Sequence, residues 1–380
     1  MKNIILLGST GSVGRNVLDV VRCFPDKFRI KAITSNSNVS LLARQSKEFN
    51  PEIIGIGEKD RVSELKNNVS ENIKVLAGME GLEEIINNVT ADIIFVAISG
   101  RAALCPLFCA LNTGKTIALA SKEPVVSAGM LINDIIKKDP HRILPVDSEH
   151  SAIMQCLNGR SNKEVQTLYI TGSGGSLNET DARDFDSVSL EEVLNHPKWD
   201  MGKKITVDSA TLMNKGLEAI EARWLFDVPA EKIKIIIHPE AIVHSMVEFS
   251  DGTINAGLFV PDMRFPILKA LSFPEIIGNN FPRIDFSVIN KLSFSQPDTN
   301  KFPSINMAFN VLKDGGTMPA VLNASNEAAV NLFLGNKIKF TDIIKIVEKV
   351  LSKHKKIDAP FLADIIKAEN WAMGEVQRFC

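Results

Sequence analysis

Over residues 1–149 short apolar runs alternate with stretches of helical period. The runs fall at 4–7, 30–34, 53–56, 73–76, 93–98, 116–118 and 143–146, and between them Val13, Val17, Leu18 and Val21 share one helical face. Strands covered on both sides read as unbroken apolar runs, and the helices that carry the chain back across a parallel sheet read with a period near 3.6. The pattern therefore predicts a doubly wound α/β sheet.

After residue 149 the rhythm changes. A strand-like run at 166–170 leads into Thr171-Gly172-Ser173-Gly174-Gly175, then a polar stretch, then a helix from about 210 to 225. Runs at 233–237, 242–249 and 253–259 read as antiparallel strands, the last two joined in a hairpin at Ser250-Asp251-Gly252. Turn formers at Gln296-Pro297-Asp298-Thr299-Asn300 mark 286–303 as a linker. The remainder of the chain is helical, at 320–334, at 341–352 with Thr341 as N-cap, and at 360–379. The expected organisation is a sheet domain over 1–149, a central α+β domain over 150–285, the linker, and a C-terminal α-helical bundle over 304–380.

Length supports this division, because 380 residues exceed what one core ordinarily holds. Composition then narrows the class. An apolar share of 45% with 23% charged residues excludes a largely disordered chain, and a net charge of -2 gives no reason to expect nucleic acid or a membrane surface as partner. The first residues lack the parts of a signal peptide, and no run approaches the length of a membrane helix. Five cysteines, none in a C-x-x-C pair, fit a reducing cytoplasm, with Cys105 and Cys109 read as small buried apolar residues.

The first candidate for chemistry is Gly8-Ser9-Thr10-Gly11-Ser12-Val13-Gly14, which follows a buried strand and opens a helix. Glycines there permit a tight turn and close approach, while the backbone amides and the positive end of the helix dipole face an anion, as in a Rossmann-like dinucleotide site. A cofactor with a free ribose hydroxyl usually meets an acidic residue about 20 residues on. This chain has Ser35-Asn36-Ser37-Asn38 instead, which favours NADP(H).

Asp147-Ser148-Glu149 lies just past a strand end, and on an extended segment its two carboxylates project to one side. Such a pair suits Mg2+ or Mn2+ if a third carboxylate joins it; a solvated acidic turn fits the spacing as well. The third is sought in Val207-Asp208-Ser209-Ala210-Thr211-Leu212-Met213-Asn214-Lys215-Gly216-Leu217-Glu218, where hydroxyl, amide and ammonium suit a phosphate and Glu218 could close a metal site. An ordinary polar helix face with a Lys–Glu pair is the competing reading. The turn at Ser173 is either an anion nest or a plain turn. His196-Pro197-Lys198-Trp199-Asp200-Met201-Gly202 could be a loop that closes over a ligand or a surface loop pinned by Trp199. Lys122 could polarise a substrate oxygen, or form a helix-entry pair with Glu123. His238 and His244 read as satisfied structural or interface histidines, and His150 as a supporting candidate beside the acidic pair.

Taken in order, these segments, with Ser121-Lys122-Glu123, His238-Pro239-Glu240 and Leu322-Asn323-Ala324-Ser325-Asn326-Glu327, resemble the 1-deoxy-D-xylulose 5-phosphate reductoisomerase family of the non-mevalonate isoprenoid pathway. The resemblance implies an NADPH-dependent oxidoreductase that uses Mn2+ or Mg2+, with Co2+ a further candidate, on a small phosphorylated sugar, in a cytoplasmic homodimer. It implies cofactor contacts at Gly8, Thr10, Gly11, Ser12, Val13, Ser35, Asn36, Ser37, Asn38, Ser121, Glu123 and Gly202, and metal ligands at Asp147, Glu149 and Glu218. Substrate would meet Lys122, Ser148, Glu149, Ser173, His196, Trp199, Ser209, Asn214, Lys215 and Glu218, with Lys122, His196 and the three metal ligands as the catalytic set. One departure stands out: Ser121 occupies the place of the family's usual asparagine. Two other classes compete, a metal-dependent hydroxy-acid dehydrogenase without a phosphate site and a redox-sensing module that binds dinucleotide without turnover.

Overall fold

The computed structural model describes residues 1–199 and 201–379; Asp200, within the expected ligand-closing loop, and Cys380 lie outside the described residues. The chain forms two compact units, one of Met1–Ser121, Asp139–Ser151 and Asp262–Phe281, the other of Lys122–Lys138, Ala152–Pro261 and Pro282–Cys380.

In the first unit every apolar run found in the sequence is a strand. These are β1 (Lys2–Leu7), β2 (Phe28–Ser35), β3 (Ile53–Ile56), β4 (Lys74–Ala77), β5 (Ile93–Val96), β6 (Thr116–Leu119) and β7 (Ile143–Pro145). They form one parallel sheet in the order β4-β3-β2-β1-β5-β6-β7. Ile4, Ile5, Leu6 and Leu7 are each fully buried, as expected of a central strand covered on both faces. Strand order reverses between β1 and β5, so the carboxyl end of β1 is the switch point where such sheets bind ligands. The fold is Rossmann-like. Helix Arg264–Ser272, short and with Pro266 in its first turn, escapes the pattern reading and packs beside helix Ser12–Cys23. Cys105 is exposed and Cys109 only partly covered, against the expectation that both are buried, because helix Leu104–Leu111 turns Leu104, Leu107 and Leu111 inward instead.

A four-stranded sheet organises the second unit in the order β11-β10-β8-β9, from β8 (Val165–Gly172), β9 (Ile233–Ile237), β10 (Val243–Phe249) and β11 (Ile254–Leu258). The β10–β11 hairpin is antiparallel as expected. By contrast β9 runs parallel to β8, which corrects the antiparallel reading. The physical reason is the long helical connection between them, enough for a crossover, whereas apolar alternation carries no information on direction. The helix expected over 210–225 is Met213–Leu225, and a helix that the pattern leaves unassigned, Lys203–Ala210, precedes it across a break at Leu212 with φ +56°. Besides helices Glu123–Lys138 and Leu190–Leu194, the unit adds toward the end of the chain Ser304–Asp314, which the pattern leaves unassigned, Met318–Leu334, Phe340–Lys353 and Leu362–Val376. Thr341 is not the N-cap of the third. Lys339 holds that place, its N–H donating to Asp342 Oδ2 at 3.0 Å, and Thr341 bonds Asp186.

Candidate active site

The switch point of the first unit carries the glycine turn. Gly8 follows β1 with φ +87°, and a Cβ at Gly14 would lie 2.2 Å from the Gly8 carbonyl oxygen, so helix and turn meet at a distance only glycine allows. At Gly11, the N-cap, a Cβ would meet nothing nearer than 3.5 Å. Among the described residues no side chain caps this helix, which leaves the first-turn amides of Ser12 and Val13 for an anion. Beside it, Thr10 Oγ1 and Ser35 Oγ are 2.8 Å apart, and the Asn38 N–H donates to Ser35 Oγ at 3.2 Å. Asn36, Ser37 and Asn38 are exposed, and Asn38 also caps helix Val39–Phe49 through Leu41 N at 3.1 Å. Ser121 is buried and donates its hydroxyl proton to the Ile98 carbonyl.

Further along this unit, Asp147 and Glu149 do not lie on an extended segment. Helix Ser148–Cys156 starts between them, with Ser151 N–H donating to the Asp147 carbonyl at 2.8 Å. Two carboxylates at a helix start are favoured by the dipole. Ser148 Oγ donates to Glu149 Oε2 at 2.5 Å, and His150 is fully buried behind the pair.

In the second unit, helix Met213–Leu225 puts Asn214, Lys215 and Glu218 on one face. Glu218 is 1% exposed and receives Lys122 Nζ at 2.9 Å, Asn214 Nδ2 at 2.5 Å and Lys215 Nζ at 2.7 Å. A carboxylate this deep requires such compensation, and two ammonium groups supply it. Lys122 immediately precedes helix Glu123–Lys138 and is itself buried.

Ser173 leaves the end of β8, and its Oγ lies 3.1 Å from His196 Nε2. The other ring nitrogen, Nδ1, accepts from the backbone N–H groups of Lys198 at 3.2 Å and Trp199 at 3.0 Å. Two donors on Nδ1 fix the proton on Nε2, so His196 donates to Ser173. Burial, reinforced by the Lys215 charge, brings its pKa down to about 4 and keeps the ring neutral. Gly175, φ +74°, packs on Ser209, where a Cβ would sit 2.4 Å from the Ser209 carbonyl oxygen. Trp199 is half-buried, its ring 6.1 Å from that of His244. His238 and His244 are satisfied: His238 accepts from Ile242 N and pairs through Nδ1 with the Ser293 carbonyl at 2.8 Å, and His244 Nε2 lies 3.1 Å from the Phe259 carbonyl oxygen.

Sequence reasoning passes over Lys204. It stands two residues after Gly202, with Nζ 3.0 Å from Glu123 Oε1 and 2.7 Å from Asp208 Oδ2. Burial alone would raise the Glu123 carboxyl, but Lys204 outweighs it and holds the group below its ordinary range. The only signal in the chain is a Lys and an Asp four apart, common on any helix.

Comparison with known proteins decides the family. Models of the 1-deoxy-D-xylulose 5-phosphate reductoisomerase family match residues 4–129, and those of its C-terminal domains match 143–226 and 258–374. A reductoisomerase from Caldanaerobacter subterraneus subsp. tengcongensis is 49% identical over 372 residues, 97% of each chain. The chain belongs to the 1-deoxy-D-xylulose 5-phosphate reductoisomerase family. Solved members share its fold. The Zymomonas mobilis reductoisomerase in complex with NADPH superposes with a TM-score of 0.92 at 38% identity, covering 100% of this chain and 99% of that one. A reductoisomerase in complex with NADPH, fosmidomycin and magnesium gives 0.93 at 36%, covering 100% and 98%. This is therefore an enzyme family of isoprenoid biosynthesis, and no described helix here is long and apolar enough to cross a membrane.

Proposed function

We propose that this chain converts 1-deoxy-D-xylulose 5-phosphate to 2-C-methyl-D-erythritol 4-phosphate, using NADPH and Mg2+ or Mn2+, as a cytoplasmic homodimer. The observation that carries the reading is the buried Glu218 carboxylate gathered by Lys122, Asn214 and Lys215, in a chain of this family.

NADPH fits the β1 turn, where uncapped helix amides and an open Gly11 suit a pyrophosphate, and where no carboxylate among Ser35, Asn36, Ser37 and Asn38 repels a 2′-phosphate. In this reading Thr10, Gly11, Ser12, Val13, Ser121, Glu123 and Gly202 complete the cofactor contacts. Asp147, Glu149 and Glu218 are hard oxygen donors and fit a divalent cation, which would supply Lewis-acid stabilisation of charge on neighbouring substrate oxygens. The dinucleotide supplies the hydride that reduces the rearranged aldehyde.

The protein's own part begins with the phosphate. Ser173, Ser209, Asn214 and Lys215 offer hydroxyl, amide and ammonium donors, and neutral His196 adds its Nε2 proton without adding charge. Lys122 brings an ammonium to the reacting end of the ketose, where negative charge develops as a carbon–carbon bond breaks and re-forms. Trp199, once its loop closes, excludes water. Phosphate binding, remote from the reacting carbons, contributes the energy that orders these groups. The homodimer is supported by β11, an edge strand whose Ile254 is 54% exposed and Leu258 36%.

The decisive experiment follows NADPH oxidation with 1-deoxy-D-xylulose 5-phosphate, with and without divalent metal. Turnover should need both the phosphorylated ketose and the metal, and Glu218→Gln should abolish it while leaving NADPH binding nearly intact. Full metal-dependent activity in that variant would remove Glu218 from the metal set. Oxidation with a dephosphorylated ketose at equal efficiency would favour a hydroxy-acid dehydrogenase instead.

A further inference from the structure

Helix Lys203–Ala210 begins directly after the 196–202 loop, and its second residue is held from two sides. Lys204 Nζ bridges Glu123 Oε1 at 3.0 Å and Asp208 Oδ2 at 2.7 Å. Asp208 is 1% exposed, and its other oxygen accepts from Asn326 Nδ2 at 2.8 Å. Three residues earlier on helix Met318–Leu334, Asn323 Nδ2 donates to Ser127 Oγ at 3.1 Å on helix Glu123–Lys138. Helix Met318–Leu334 thus holds Asp208 directly, through Asn326, and through Asn323 the helix that begins at Glu123.

A buried ionic cluster is a weak source of stability, since desolvation offsets most of its attraction. What it fixes well is geometry. Glu123 adjoins Lys122, Asp208 adjoins Ser209, and Lys204 itself stands at the foot of the loop that carries His196 and Trp199. One ammonium therefore sets the relative placement of three segments expected to face ligands.

We propose that Lys204 is a positioning residue for the cofactor: it holds the Glu123 carboxylate and the foot of the 196–202 loop where they bind the dinucleotide, and so governs NADPH affinity. This rests on the reading that Glu123 and Gly202 contact NADPH. Removing the ammonium leaves two carboxylates without their shared partner, and Glu123, the less buried, turns away from Asp208.

The test is a fluorescence titration of NADPH onto the full-length protein without substrate, alongside steady-state kinetics. Lys204→Met should raise Kd and KM for NADPH at least about tenfold. The loss in kcat at saturating NADPH should be smaller than that in KM. Lys204→Arg should recover most of the affinity, because the guanidinium still reaches both carboxylates. Glu123→Gln should weaken NADPH comparably, and adding Lys204→Met to it should cost no more than about a further twofold, since both act through one contact. If Lys204→Met does not fold, Glu123→Gln and Lys204→Arg carry the comparison. A purely structural Lys204 would lower Tm and leave Kd unchanged, and that result overturns the proposal, as does full additivity of the two substitutions. Wild-type protein that binds no NADPH would instead defeat the functional reading itself.

Discussion

At His196 the position of one proton decides what the residue can do. Backbone donors on Nδ1 leave Nε2 as the donor, and burial beside Lys215 keeps the ring neutral down to about pH 4. A histidine titration followed by NMR should therefore show one imidazole with a pKa near 4, assigned by its loss in His196→Gln. The linkage follows from the sign of the shift. The unfolded chain takes up a proton near pH 6.5 that the native ring refuses, so stability falls as pH drops from about 6.5 toward 4 and gains nothing from this group above that range. Urea unfolding across those pH values should be flatter in His196→Gln; an equal slope would mean the ring ionises normally. A second residue-scale contrast lies in the glycine turn. Gly14→Ala must push helix Ser12–Cys23 off the Gly8 carbonyl and should cost about 2–4 kcal/mol by chemical denaturation, in the range of overpacked or strained sites. Gly11→Ala has room within the protein, so it should keep Tm and lose NADPH affinity. At this scale much was legible. Asn214, Lys215 and Glu218 announce themselves by sharing a helix face, and Gly8 to Gly14 by following a buried strand. Lys204 was not, because its partner Glu123 lies 81 residues away and only the fold brings them together.

Elements show the same division between local and tertiary causes. All seven strands of the parallel sheet were readable as apolar runs, the central ones such as β1 and β5 because burial on both faces leaves such a run unbroken, although edge strand β4 is only half-buried. The direction of β9 was not, since pairing is chosen by the connection and not by side-chain alternation. Nor was the break at Leu212: a non-glycine residue with φ +56° is held there by burial of its side chain, 2% exposed, and leaves no turn-forming residue as a signal. That break matters for the site, because it puts Ser209 in the last turn of one helix and Asn214 and Lys215 in the first turn of the next. Helix Met318–Leu334 is nearly all buried and braces helix Glu123–Lys138 through Asn323. Asn323→Ala should accordingly lower stability by about 1–3 kcal/mol, as for a buried donor removed from its partner. Its KM for NADPH should stay at the wild-type value, in contrast to Lys204→Met. A large rise in that KM would mean the bracing helix itself tunes the cofactor site.

For the molecule as a whole, the open question that the fold raises is what covers β11. An edge strand offers a row of unpaired backbone groups, and soluble proteins commonly blunt such an edge with charges, proline or a covering element. This one does the opposite. Its five residues, Ile254, Asn255, Ala256, Gly257 and Leu258, carry no charge, and all but Gly257 are exposed. Among the described residues only the inner side of the strand is paired, with β10. Sequence already marked this hairpin, but the exposure of its outer face depends on β10 lying between β11 and β8, which no local pattern reveals. If a second copy covers β11 in the homodimer, then Ile254→Asp should place an unpaired charge in the interface and shift the protein to a monomer in analytical ultracentrifugation at micromolar concentration. The chain should still fold, because Ile254 is 54% exposed within one copy and contributes little to its core. Near-UV circular dichroism like that of the wild type, together with a halved mass, is the expected pair of results. A mass unchanged from a wild-type dimer would mean that the copies meet through another surface, and a wild-type monomer would mean that β11 stands open.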